Sequence, residues 1–138
     1  LLAKHAGKLS ESAMSIRTRW MDGVRVRLDM SDREFTELLV SRLERQLSEV
    51  AGECERIAAF LHHLPFEEIL PEGGAERIRF AAAYMGAARF GEALLACETV
   101  TDVYCGHSHW SARKRIGHLN AVSIGSTYRE KCLEVLEI

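Results

Sequence analysis

No apolar run in the 138 residues approaches the roughly 20 that a bilayer-spanning helix needs, and the N-terminus lacks the three-part layout of a secretory signal. A cytoplasmic location is therefore the expectation. There is no excess of one charge: 18 Lys and Arg face 20 Asp and Glu, a net charge of -2, so no global positive field exists to hold nucleic acid or anionic lipid. Any anionic substrate has to be bound locally. Cysteine is sparse, with Cys54, Cys97, Cys105 and Cys132 widely spaced and no C-x-x-C pair, which argues against a disulfide framework and for buried free thiols in a reducing compartment. Repeats and low-complexity segments are also missing. What is present, 47% hydrophobic and 28% charged residues, is the composition of one soluble globular domain with a real core.

Residues 1–30 show little pattern, except that Trp20, Val24, Val26 and Leu28 recur at even spacing and suggest a short strand or hairpin over Arg19–Leu28. Ser31-Asp32-Arg33-Glu34 fits a capping box, so a helix is expected to begin there. Phe35, Leu38, Leu39, Leu43, Leu47 and Val50 then give it one apolar face and carry it to about Gly52. Ile57-Ala58-Ala59-Phe60-Leu61 is a short continuous apolar run, read as a strand buried on both faces, after which Pro65 forces His62-His63-Leu64 into a loop. From Ala75 to Cys97 the chain reads as two helices divided or bent at Gly86 and Gly91. Val100–Cys105 is a second buried strand, and Ala112–Ile116, Asn120–Ile124 and Cys132–Ile138 read as further β structure with turns at Gly117-His118 and Gly125-Ser126. Strand, helices and strand in that order predict an α/β sheet, whose ligand sites lie at the carboxyl ends of the strands.

Histidines occupy those ends. Gly106-His107-Ser108-His109 follows the second apolar strand, with Gly106 read as permitting a tight turn that aims both imidazoles inward. His62 ends the first apolar strand, and two parallel strands lying side by side would bring it to His107 and His109. Three imidazoles suffice to coordinate a divalent transition metal. The H-x-H pair does not continue as H-x-H-x-D-H, because Trp110, Ser111 and Ala112 follow it. It also lies too near the chain's end for a barrel hydrolase and in too helical a chain for a cupin.

This arrangement resembles the calcineurin-like metallophosphoesterase family over about Arg56–Ile138, in Phe60-Leu61-His62-His63-Leu64-Pro65, Gly106-His107-Ser108-His109 and Val122-Ser123-Ile124-Gly125-Ser126. The resemblance implies the C-terminal portion of a two-sheet α/β sandwich flanked by helices, hydrolysing phosphomonoesters or phosphodiesters with two divalent metal ions, Mn, Zn or Fe. His62 and His107 look like ligands of one ion and His109 of the other. His63 and Gly106 look like substrate-binding or supporting positions, although His63 could equally cap the loop. The family's D-x-H, G-D and G-N-H-[DE] motifs, which supply its remaining ligands and its proton donor, are absent. The chain begins Leu1-Leu2-Ala3, so the expectation is a single partial domain over 1–138 whose N-terminal half lies upstream, with the isolated chain inactive.

Two other readings use the same residues: a binding or scaffold protein that keeps the fold without the aspartates, and a mononuclear His-only metal site. The basic run Arg113-Lys114-Arg115 reads as a solvated strand face, His118 and His5 as exposed, and the Gly125-Ser126 turn as structural because nothing around Ser126 has nucleophile-elbow spacing. Trp110, beside His109, could wall a pocket. The Phe80–Cys97 region is apolar enough to bury either on its own sheet or against a second copy in a homo-oligomer.

Overall fold

The computed structural model describes residues 25–71 and 81–136, a mixed α/β arrangement with helices on a four-stranded mixed sheet. Helix α1 runs Asp32–Val50, followed by strand β1 (Ile57–Leu61), a 3-10 turn (Glu67–Ile69), helix α2 (Ala88–Leu95), and strands β2 (Val100–Cys105), β3 (Ser111–Ile116) and β4 (Leu119–Ile124). The capping box forms as expected: the Ser31 hydroxyl accepts from the Glu34 amide at 3.3 Å, and the Ser31 amide donates to the Glu34 carboxylate at 2.8 Å. The buried line of α1 is Val40 and Leu47 with half-buried Leu43 between them, a rotation from the expected stripe that leaves Leu38 and Val50 exposed. The ion pair from Arg89 of α2 to Glu37, 3.5 Å, lies beside that line.

The strand order is β1-β2-β4-β3, with β1, β2 and β4 mutually parallel and β3 antiparallel to β4. The β3–β4 hairpin closes at Gly117-His118, where Gly117 takes φ +57°, the left-handed geometry that a two-residue hairpin turn requires. Ala59, Val103, Cys105 and Ala121, from one face of the sheet, join Leu47 of α1 and Leu94 of α2 in one apolar core with Leu64, Phe66 and Ile69. The other face carries Phe60 stacked on Tyr104, with ring centroids 5.4 Å apart. Phe60 is 69% exposed, which corrects the expectation that β1 is buried on both faces: among the described residues it is an edge strand, covered at Phe60 only on its helix side.

At the amino end of the parallel strands Asp102 joins three segments. It accepts from Thr101 at 2.7 Å, from Asn120 of β4 at 3.0 Å and from Arg56, the residue before β1, at 3.3 Å. These bonds, led by that from Thr101, hold its carboxyl below the usual range despite its burial.

Gly86, expected to divide the helices, does so for a steric reason. It forms a parallel bridge with Leu64, and a Cβ at Gly86 would overlap the Leu64 carbonyl oxygen. Gly91, by contrast, lies inside α2, where its missing side chain lets the helix rest on Pro65 and Phe66; a Cβ there would stand 2.5 Å from the Pro65 oxygen. The strand expected over Arg19–Leu28 falls largely outside the described residues. Over 25–28 no strand forms, and Val26 and Leu28 are exposed with no neighbouring ladder. Cys132–Ile138 is not a strand over its described part: the chain lacks ladder partners there, and Leu133 and Val135 are exposed. The cysteines are all free, yet only Cys105 is buried, with Cys97 half-buried and Cys54 and Cys132 exposed. Among the described residues no helix is long and apolar enough to cross a membrane.

Two outcomes follow from this packing. Gly86→Ala should lower stability by about 2–3 kcal/mol in urea unfolding, because backbone rather than a flexible side chain must yield. The Asp102 carboxyl is held below its ordinary value, so its contribution to stability is present above the usual carboxylate range and is lost as pH falls through and below that range. Asp102→Asn should therefore cost roughly 1 kcal/mol at neutral pH, with the gap to the parent chain narrowing in unfolding curves taken at progressively more acid pH.

Candidate metal centre

Parallel pairing of β1 with β2 places Leu61 opposite Cys105, so the two chains leave the sheet side by side. The Gly106 amide then donates to the His62 carbonyl at 3.2 Å, extending the pairing one step beyond the strands. Two residues further along the first loop, the Leu64 amide donates to the Met85 carbonyl at 3.0 Å. His62 and His63 are thus held from both sides by backbone bonds.

The imidazoles meet here. Ring centroids stand 4.8 Å apart for His62 and His107, 4.5 Å for His63 and His107, and 5.0 Å for His62 and His63. One ligand nitrogen from each of these three lies within 4.8 Å of the other two. His62 and His63 are exposed and His107 is half-buried, so the cluster sits at the surface with one wall set into it. His109 lies outside this group. Its ring is nearly perpendicular to that of Tyr128, with centroids 4.9 Å apart.

Gly106 does not carry the turn's strain. Its φ is not positive and a Cβ on it would meet nothing within 4 Å. The left-handed positions are His107 at φ +62° and His109 at φ +56°, conformations that cost a non-glycine residue on the order of 1–2 kcal/mol each. The expectation that Gly106 supplies the tight backbone is corrected accordingly: its contribution is an amide donor to His62 and a carbonyl that accepts from Ser108 at 2.7 Å.

A pair of hydroxyls holds the strained turn. Ser123, wholly buried on β4, donates to the Trp110 carbonyl at 2.7 Å and shares a 3.1 Å hydrogen bond with Ser108. The Ser108 oxygen accepts from the Trp110 amide at 3.2 Å. The sequence segment Val122-Ser123-Ile124 assigns Ser123 no role of its own; its signal is a hydroxyl at an inward position of an otherwise apolar strand. Cys105, directly before Gly106, donates its thiol to the Val122 carbonyl at 3.4 Å within the core, and burial pushes that thiol up to about 11.

Ser126 bonds both ways with Cys132, accepting from its amide at 2.9 Å and donating to its carbonyl at 3.1 Å, which closes the loop that carries Tyr128. Arg113, Lys114 and Arg115 are exposed on β3, with Arg113 donating to both carboxylate oxygens of Glu134 at 3.0 Å. Trp110 is 51% exposed, and its backbone rather than its ring is tied to the turn. His118 is half-buried rather than exposed, its ring 3.3 Å from the Cys97 carbonyl. His5 lies outside the described residues.

The two glycines flanking the site should respond differently to a methyl group. Gly106→Ala should leave the thermal midpoint nearly unchanged. Gly125→Ala, at φ +76° and with its Cβ 2.5 Å from the Ser111 amide nitrogen, should lose about 2–3 kcal/mol. Equal losses in the two variants would contradict this division of strain. Set against known proteins, the chain matches no family model and no curated protein.

Proposed function

We propose that this chain supplies the histidine side of a metal-dependent phosphoesterase centre, acting on phosphomonoesters or phosphodiesters. The observation that supports it most is the meeting of His62 and His107, 4.8 Å apart, at the carboxyl ends of adjacent parallel strands. Histidines from two strand ends converge there because the sheet is parallel, the same logic that puts ligand sites at that edge of α/β sheets in general.

The donor set suits the ions in question. Neutral imidazole nitrogen is a good ligand for Zn, Fe and related divalent metals, and each of these histidines offers one. His62 and His107 would hold one ion, and the resemblance to calcineurin-like phosphoesterases assigns His109 to a second. Such ions, when bound, would supply Lewis-acid polarisation of phosphoryl oxygens and a more acidic bound water. This chain's own residues then orient and enclose: the Gly106–His62 backbone bond keeps the two loops in step, and the Ser108–Ser123 pair keeps the H-x-H turn folded.

Among the described residues no carboxylate joins the imidazole cluster, and the sequence contains none of the family's three aspartate-bearing motifs. In this reading the carboxylate ligands and the proton donor come from polypeptide outside these 138 residues. That polypeptide would form a second sheet on the Phe60–Tyr104 face and complete a two-sheet sandwich. A protein in which the aspartates are lost altogether would be a binding or scaffold relative, and metal content separates the two.

The test is metal analysis followed by p-nitrophenyl phosphate and bis-p-nitrophenyl phosphate assays with added Mn. The 138-residue chain should be inactive. A longer product carrying D-x-H and G-N-H-[DE] should turn over, and His107→Ala in it should reduce kcat/KM at least about a hundredfold, the scale of losing one stabilising group of several kcal/mol at the reacting centre. A well-folded longer product with neither metal nor turnover refutes the reading.

A further inference from the structure

The three imidazoles that come together are not the three that the sequence motifs single out. His63 replaces His109, and this substitution changes what the site is. In a continuing strand His62 and His63 would point to opposite faces. Here the chain bends as it leaves β1, and their rings lie 5.0 Å apart on one side, both facing His107.

We propose that His62, His63 and His107 form a three-imidazole site for one divalent transition-metal ion, Zn or Co in type, held wholly by this chain and independent of His109. Ligand nitrogens about 2.0–2.1 Å from a tetrahedral ion stand about 3.3 Å from one another. The nitrogens all lie within 4.8 Å of one another, so closure needs a contraction of at most about 1.5 Å. His62 and His63 are exposed, and side-chain rotation at these two supplies it without moving the core. The backbone is already fixed on both sides, by the Gly106 amide on the His62 carbonyl and by the Leu64 amide on Met85. His109 is turned to the ring of Tyr128 instead.

Three protein ligands with the fourth position open is the arrangement of catalytic rather than structural zinc sites. The open position would take water or an oxygen of an ester or phosphoester substrate. The site shares His62 and His107 with the phosphoesterase reading but does not rest on it, since it needs no aspartate, no second ion and no further polypeptide.

The experiment is a Co(II) titration of the 138-residue chain, followed by visible absorption, with Zn competition and zinc K-edge X-ray absorption to count imidazoles. One Co(II) should bind per chain with the intense visible bands of four-coordination, and the zinc spectrum should fit three imidazole nitrogens. His63→Ala should weaken Co(II) binding at least about tenfold, since removing even an outer partner of a metal ligand costs 10–100-fold, whereas His109→Ala should leave it within about twofold. His63 and His109 are both exposed, so neither variant disturbs the core. A chain that binds no Co(II), a His63→Ala variant that binds as tightly as the parent, or a His109→Ala variant that loses as much would overturn the proposal. Co(II) lost with His62→Ala and His107→Ala but kept with His63→Ala would overturn it while leaving the phosphoesterase reading intact. Phosphoesterase assays on a longer product do not bear on the titration at all.

Discussion

Parallel pairing between β1 and β2, in the register that sets Leu61 opposite Cys105, is the constraint on which the site depends. It brings together residues about 45 positions apart in the chain, and the Gly106–His62 backbone bond carries the pairing one residue past the sheet. A shift of one residue would turn each strand's side chains to the other face and separate the histidines. The Asp102 junction at the amino end, joining Arg56, Thr101 and Asn120, and the apolar core on the helix side hold that register from opposite directions.

Strain and support are distributed unevenly around the turn. His107 and His109 take the left-handed conformations, while Gly106, the residue best able to take one, does not. The Ser108–Ser123 hydroxyl pair and the Trp110 backbone offset the cost by hydrogen-bonding the turn to a buried position on β4. Strained non-glycine backbone held by its surroundings is common where side chains must be presented at a fixed angle, and here the side chains so presented are imidazoles. His107 is directed to His62 and His63; His109 is directed to Tyr128, on a loop closed by Ser126 and Cys132.

Much of the frame was legible in the residues. The capping box at Ser31, the apolar runs of β1 and β2, the two-residue hairpin at Gly117-His118 and the break at Gly86 all rest on local chemistry: a hydroxyl acceptor, a short apolar run, a positive φ, a close backbone approach. Where the reading failed, the cause was distant. The buried face of α1 is rotated toward Val40, next to the side where α2 and its Arg89 lie. The expected strand at Cys132 has no ladder partner among the described residues, and an alternating pattern alone cannot provide one.

The sequence by itself determined that histidines would stand at the ends of two apolar strands, because strand length and the following Pro65 and Gly106 can be read from neighbours alone. Tertiary structure decided which of them meet. His62 and His63 share a side only because the chain bends on leaving β1 and is bonded to Gly106 and Met85. His107 and His109 part only because both adopt left-handed backbone under the hold of Ser123. Motif spacing counts residues along the chain, whereas coordination depends on the direction of each side chain, and here that direction is set by bonds to residues far away in sequence.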